Sequence, residues 1–129
     1  MSDRYDKGLK VMREHLGELA DQHLNKIRRI SRTFERVNVE FPFADLYGDD
    51  QSQLDQKTRE LCTISALTVL GYAELELKLH VEGALNCGAT KEEVADVITQ
   101  MLAYCGFPAA TNALFLAGEV FEARGLIDK

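Results

Sequence analysis

The chain has no closely spaced cysteine pair, no glycine-rich phosphate loop, no internal repeat and no low-complexity tract. Each absence closes off a class of function. Cys62, Cys87 and Cys105 are odd in number and too far apart for a CxxC redox pair or a zinc ribbon, so a disulfide scaffold is not expected. Their apolar contexts predict small buried thiols. His15, His23 and His80 are scattered without HxxxH or HExxH spacing, and no dedicated metal site is predicted. Excess positive charge is also missing. The formal net charge of −6 argues against general nucleic-acid binding, which needs a basic footprint. No apolar run reaches the length of a membrane span, and the polar Met1 to Leu9 segment is unlike a secretory leader. The expectation is a cytoplasmic protein with neither a membrane nor a nucleic-acid partner.

What remains is an ordinary globular balance, 46% hydrophobic and 28% charged over 129 residues, read as a single domain spanning 1–129. Leu9, Met12, Leu16 and Leu19 recur at helical spacing, so residues near 4–16 form an amphipathic helix, with a break or bend at Gly17. Leu24, Ile27, Ile30, Phe34 and Val37 carry the rhythm on to about Val39 as a second helix. Its other face holds Lys26, Arg28, Arg29, Arg32 and Arg36, read as a solvated stripe pairing with nearby carboxylates. Phe41 to Tyr47, interrupted by Pro42, reads as a turn or a single helical turn. It could wall a pocket with its aromatic rings.

The organising stretch runs from Leu54 to Pro108. Asp55 is placed to cap a helix in which Leu61 to Leu70 contains no charged residue, predicting burial on nearly all sides. Arg59 and Glu60 stand at the mouth of that run, where they either pair structurally or line a pocket. Leu75 to Glu82 alternates like a strand, but Leu and Glu favour helix, and Leu77, Val81, Ala84 and Leu85 form a helical stripe. A lone strand would also leave its backbone groups unpaired, so helix is predicted. Thr90 to Glu93 is a capping box, and Gly106-Phe107-Pro108 breaks the helix that follows. The final helix is apolar around most of its circumference, which points to oligomerisation. The predicted fold is all-α, with six or seven helices.

Three spaced motifs carry a resemblance. They are Thr58-Arg59-Glu60-Leu61, then Leu77-x-x-His80-Val81-x-Gly83-Ala84-Leu85-Asn86-x-Gly88-Ala89-Thr90-x-Glu92-Glu93-Val94, then Gln100-Met101-x-Ala103-Tyr104-x-Gly106-Phe107-Pro108-Ala109-Ala110-x-Asn112-Ala113. Over about Tyr5 to Gly125 the chain resembles the carboxymuconolactone decarboxylase family. That resemblance implies the all-helical bundle of the alkyl-hydroperoxidase D proteins and a homo-oligomer, trimer or hexamer. The family's redox branch carries a CxxC pair ending four residues before the histidine. Ala73 and Glu76 hold those positions here, so thiol peroxidase or reductase chemistry is set aside.

The decarboxylase branch, tied to aromatic compound catabolism, converts 4-carboxymuconolactone without a cofactor. For a small lactone, enol or keto-acid substrate, the resemblance implies His80 as proton donor, Glu60 as its orienting partner and Arg59 as carboxylate holder. Tyr104, Phe43 and Tyr47 would contact the substrate. The chain departs from the pattern where Glu60 replaces a common serine. Glu82 and Asp49 stand where basic residues are expected, and tryptophans are absent near Phe43 and Tyr47. An oligomeric small-molecule binder with little turnover is the other reading.

Overall fold

Ser2 and Gly17 bracket the first helix, α1 (Asp3–Leu16). The Ser2 hydroxyl accepts from the Tyr5 N–H, and Gly17 ends the helix at φ 58°, a left-handed value that suits a residue without Cβ. The computed structural model describes residues 2–129, and all regular structure among them is helical. After α1 come α2 (Glu18–Arg28), α3 (Arg32–Val39) and a π-helix (Glu40–Tyr47). Then follow α4 (Gln56–Leu70), α5 (Glu74–Asn86), α6 (Lys91–Gln100) and α7 (Leu102–Ala123). They form two compact units, one through Asp55 and one from Gln56 onward.

In the N-terminal unit the single helix predicted to about Val39 is two. Ser31 interrupts it in extended conformation and accepts from the Phe34 N–H, capping α3. The apolar rhythm also misleads here. Ile30 is 88% exposed, and Phe34, Val37 and Phe41 are exposed too, whereas Glu35 is buried. The carboxylate goes inward because partners await it. Tyr5 Oη donates to Glu35 at 2.5 Å and Arg28 Nη2 at 2.7 Å. Glu40, also buried, accepts from Ser2 Oγ and Arg36 Nη1, each at 2.9 Å. Two members of the basic stripe therefore do pair with carboxylates. Past Val39, Pro42 can neither donate to the helix ladder nor tolerate the carbonyl four residues back, and the backbone widens into the π register. Phe43 and Tyr47 are buried there, stacked at 5.2 Å, with the His15 ring edge-on to both.

These contacts set an acid limit on the unit. The Arg28 guanidinium, more than Tyr5, holds Glu35 below its ordinary value of 4.5, and Arg36 does the same for Glu40. A carboxylate depressed on folding stabilises above its unfolded pKa, and that stability drains as pH falls through the lower folded value. Hydrogen-exchange protection of α1 and α3 should therefore decline below about pH 4.5, and less steeply in Glu35→Gln. Equal acid dependence in the variant would remove Glu35 from this account.

In the C-terminal unit α4 is not buried on nearly all sides. Only the stripe Glu60, Ile64 and Thr68, spaced by one turn, is fully inside. Cys62, read as a buried thiol, lies on the exposed side with Val69 and Leu70. Thr63, Ser65 and Thr68 turn their hydroxyls back to the carbonyls of Arg59, Leu61 and Ile64 at 3.0, 3.0 and 2.7 Å. Gly71, at φ 78°, ends α4 and a short turn leads into α5. The alternating 75–82 segment is indeed helical, with Leu77, Val81 and Ala84 inside. The capping box of α6 forms in both directions, Glu93 N–H to Thr90 Oγ1 and Thr90 N–H to Glu93 Oε1. Ile64, Leu77, Val81, Val94, Ile98, Ala113 and Val120 meet in one core. Gly106 departs from helical backbone at φ 80° and puts the predicted break inside α7.

Candidate functional site

Glu60 reaches its place because α4 turns its 60/64/68 stripe toward α5 and α7, among apolar side chains. Its exposure is 0%, and a carboxylate in such surroundings needs a partner. Twenty residues further on, α5 supplies one. His80 Nδ1 lies 2.7 Å from Glu60 Oε1, within the range of a charge-assisted hydrogen bond. The two groups are unequal in access. The carboxylate is sealed, while the imidazole side chain keeps 17% of its surface open. A sealed anchor behind a partly open ring is the arrangement that holds a histidine in one orientation while its far edge meets a ligand.

Arg59 precedes Glu60 in α4, about 100° around the helix from it, and is half-buried. Tyr104, in the first turn of α7, is 70% exposed beside the Gly106 kink. Phe43 and Tyr47 belong to the N-terminal unit, where they pack on each other and on His15. The site described here is accordingly that of the C-terminal unit.

Two acids that depart from the expected pattern have local uses. Asp49 Oδ1 accepts from the Gln51 N–H at 2.9 Å, closing a turn. Glu82, two residues past His80, points to the other side of α5 and is taken by Arg124. A crevice away from this pair is not signalled by the sequence. Thr68, Gly71, Ala73, Glu74 and Asn112 line a narrow crevice two turns of α4 away from Glu60, about 12 Å along the helix. Asn112 stood in the third motif, but nothing in the spacing brought Thr68 or Glu74 to it. No group of three potential metal ligands occurs among the described residues, and no described helix is long and apolar enough to cross a membrane.

The model of the carboxymuconolactone decarboxylase family matches residues 32–119. The chain belongs to that family. The matched span contains Arg59, Glu60, His80 and Tyr104. The 4-carboxymuconolactone decarboxylase of Acinetobacter baylyi is 33% identical over 124 residues, covering 95% of this chain and 90% of that protein. The nitrosuccinic acid decarboxylase of Metarhizium robertsii is 29% identical over 126 residues, 97% of this chain and 85% of the relative. An uncharacterized 15.0 kDa protein of Paracoccus denitrificans is 49% identical over 69 residues, about half of each chain. Helices alone make up the regular structure described for this member of the family, in keeping with the all-α expectation.

Proposed function

We propose that the chain is a cofactor-free decarboxylase-like enzyme in which His80, held by Glu60, returns a proton to carbon after carbon dioxide leaves. The observation that carries this reading is the 2.7 Å contact between a fully buried carboxylate and a partly open imidazole. The names of two relatives support it, since both are decarboxylases of small carboxylic acids. Their substrates share an electronic feature. In 4-carboxymuconolactone the departing carboxylate's electrons flow to the lactone carbonyl, and in nitrosuccinic acid the neighbouring nitro group can take them. Each case ends with an anion on oxygen and a carbon awaiting one proton.

The residues fit those needs in turn. Arg59 holds a substrate carboxylate through its planar guanidinium. Hydrogen-bond donors stabilise charge developing on the acceptor oxygen. With Nδ1 engaged by Glu60, His80 exchanges its proton with the substrate through Nε2. Tyr104 lies at the edge of the substrate. A homo-oligomer, trimer or hexamer, completes the proposal, supported by the exposed Ile30, Phe34, Phe107 and Phe115 side chains.

The test is turnover of 4-carboxymuconolactone followed by ultraviolet absorbance, with nitrosuccinic acid in parallel and released carbon dioxide quantified for both. Release from either substrate in catalytic amounts is the expected result, and the preferred substrate names the acceptor group. A folded, oligomeric protein that releases none from either, yet binds one of them, would replace this reading with that of a binding protein.

A further inference from the structure

The helix that carries His80 is gripped on two sides. Along α5 the inward stripe is Leu77, Val81 and Ala84. His80 flanks that stripe on one side, toward Glu60 on α4. Lys78, Glu82 and Asn86, each one turn apart, flank it on the other. There α7 and the residue after it take hold. Lys78 Nζ lies 3.6 Å from Glu119 Oε2. Arg124 Nε donates to Glu82 Oε1 at 2.7 Å, and its Nη2 donates to the Glu82 carbonyl at 3.3 Å and to Asn86 Oδ1 at 3.0 Å. Arg124 is itself fixed, because its N–H returns to the Val120 carbonyl at 3.1 Å and Leu126 N–H closes onto the Phe121 carbonyl at 2.8 Å.

We propose that Arg124 is a positioning residue for His80, acting by fixing the rotation of α5 about its own axis. The inference deepens the decarboxylase reading and rests on it for its catalytic consequence alone. Its geometry is simple. With side chains reaching about 5–6 Å from a helix axis, a rotation of roughly 10° moves an imidazole by about 1 Å. A shift of that size is enough to open a 2.7 Å contact, and misplacement by about 1 Å can cost a reaction on the order of a hundredfold. Core packing opposes such rotation by steric fit, and directional bonds on the outer face of the helix add to that restraint. Three hydrogen bonds from one planar guanidinium, on the far side of the helix from His80, are directional.

The experiment compares wild type with Arg124→Ala, Arg124→Lys and Glu82→Gln, using Glu60→Leu as the reference for a lost contact. Nitrogen-15 resonances of the His80 ring report the Nδ1 hydrogen bond directly, and steady-state kinetics on 4-carboxymuconolactone report its use. In Arg124→Ala the Nδ1 resonance should move toward that of Glu60→Leu, with kcat lowered about tenfold and KM little changed. Arg124→Lys should recover part of both, since an ammonium can keep Glu82 but not Asn86 as well. Glu82→Gln preserves size and the Asn86 contact, so it remains informative if Arg124→Ala does not fold. It should give a smaller shift in the same direction. A His80 resonance unmoved in the folded variants, whatever their thermal stability, would overturn the proposal and leave Arg124 as a helix clasp. If no variant and no wild type turns the substrate over, the resonance still decides the positioning role, and only the decarboxylase reading falls.

Discussion

His80→Ala should lower turnover by about a hundredfold to ten-thousandfold, the contribution usual for a positioned proton donor. It removes the ring that meets Glu60, a carboxylate with 0% exposure, so stability should fall as well, by up to roughly 3–5 kcal/mol. Those two losses must be separated. Glu60→Gln does so, because the amide occupies the same space and carries no charge to strand. Its turnover should fall nearly as far as that of His80→Ala while its unfolding midpoint stays near wild type. Kinetics on the substrate accepted by the wild type, paired with urea unfolding, give both quantities. Full activity in Glu60→Gln would reduce the buried carboxylate to a packing element and leave His80 to act without it.

The second large effect concerns stability alone. A Cβ added at Gly8 would stand 2.3 Å from the carbonyl oxygen of Val39 and 2.9 Å from its Cγ1. Val39 is fully buried, and a backbone carbonyl cannot rotate out of the way. Gly8→Ala must therefore push α1 off the end of α3, at a cost of about 1–3 kcal/mol or more, despite alanine's better helix propensity. Gly118 in α7 is the matched control. Nothing lies within 4 Å of its added Cβ, so Gly118→Ala should gain roughly 0.5–1 kcal/mol. Urea unfolding followed by circular dichroism measures both, and two variants of equal stability would contradict the close approach of α1 to Val39.

Gly8 also shows where sequence reading stops. Within a helical pattern a glycine signals weakness, and only the neighbour it admits reveals its purpose. Signals confined to one segment were legible. The capping box at Thr90, the break at Gly106 and the helical choice for 75–82 depend on local hydrogen bonding and propensity. Signals that depend on what a segment packs against were not. Phe34 and Val37 keep helical rhythm but face outward, because burying Glu35 between Arg28 and Tyr5 decides the rotation of α3, and Ile30 falls in the turn before it. The charge-free run of α4 promised burial all round and delivers one stripe. For the site, residue types and their resemblance marked Glu60 and His80. Their meeting across 20 residues is a property of the α4–α5 pairing that no spacing rule contains. The Arg124 contacts were invisible for the same reason, lying 38 to 42 residues from their partners.

Three of the four hydroxyls of α4 bear on how protons travel. Thr63, Ser65 and Thr68 each point their hydrogen back at a carbonyl of their own helix. A hydroxyl so committed is a poor link in a proton wire, since it would first have to surrender that bond. From Thr63 to Thr68 the helix thus behaves as insulation, polar in composition but poorly suited to relay. On the other side the partly open imidazole gives the buried carboxylate a route to bulk solvent, a door through which a proton that His80 gives away can be replaced.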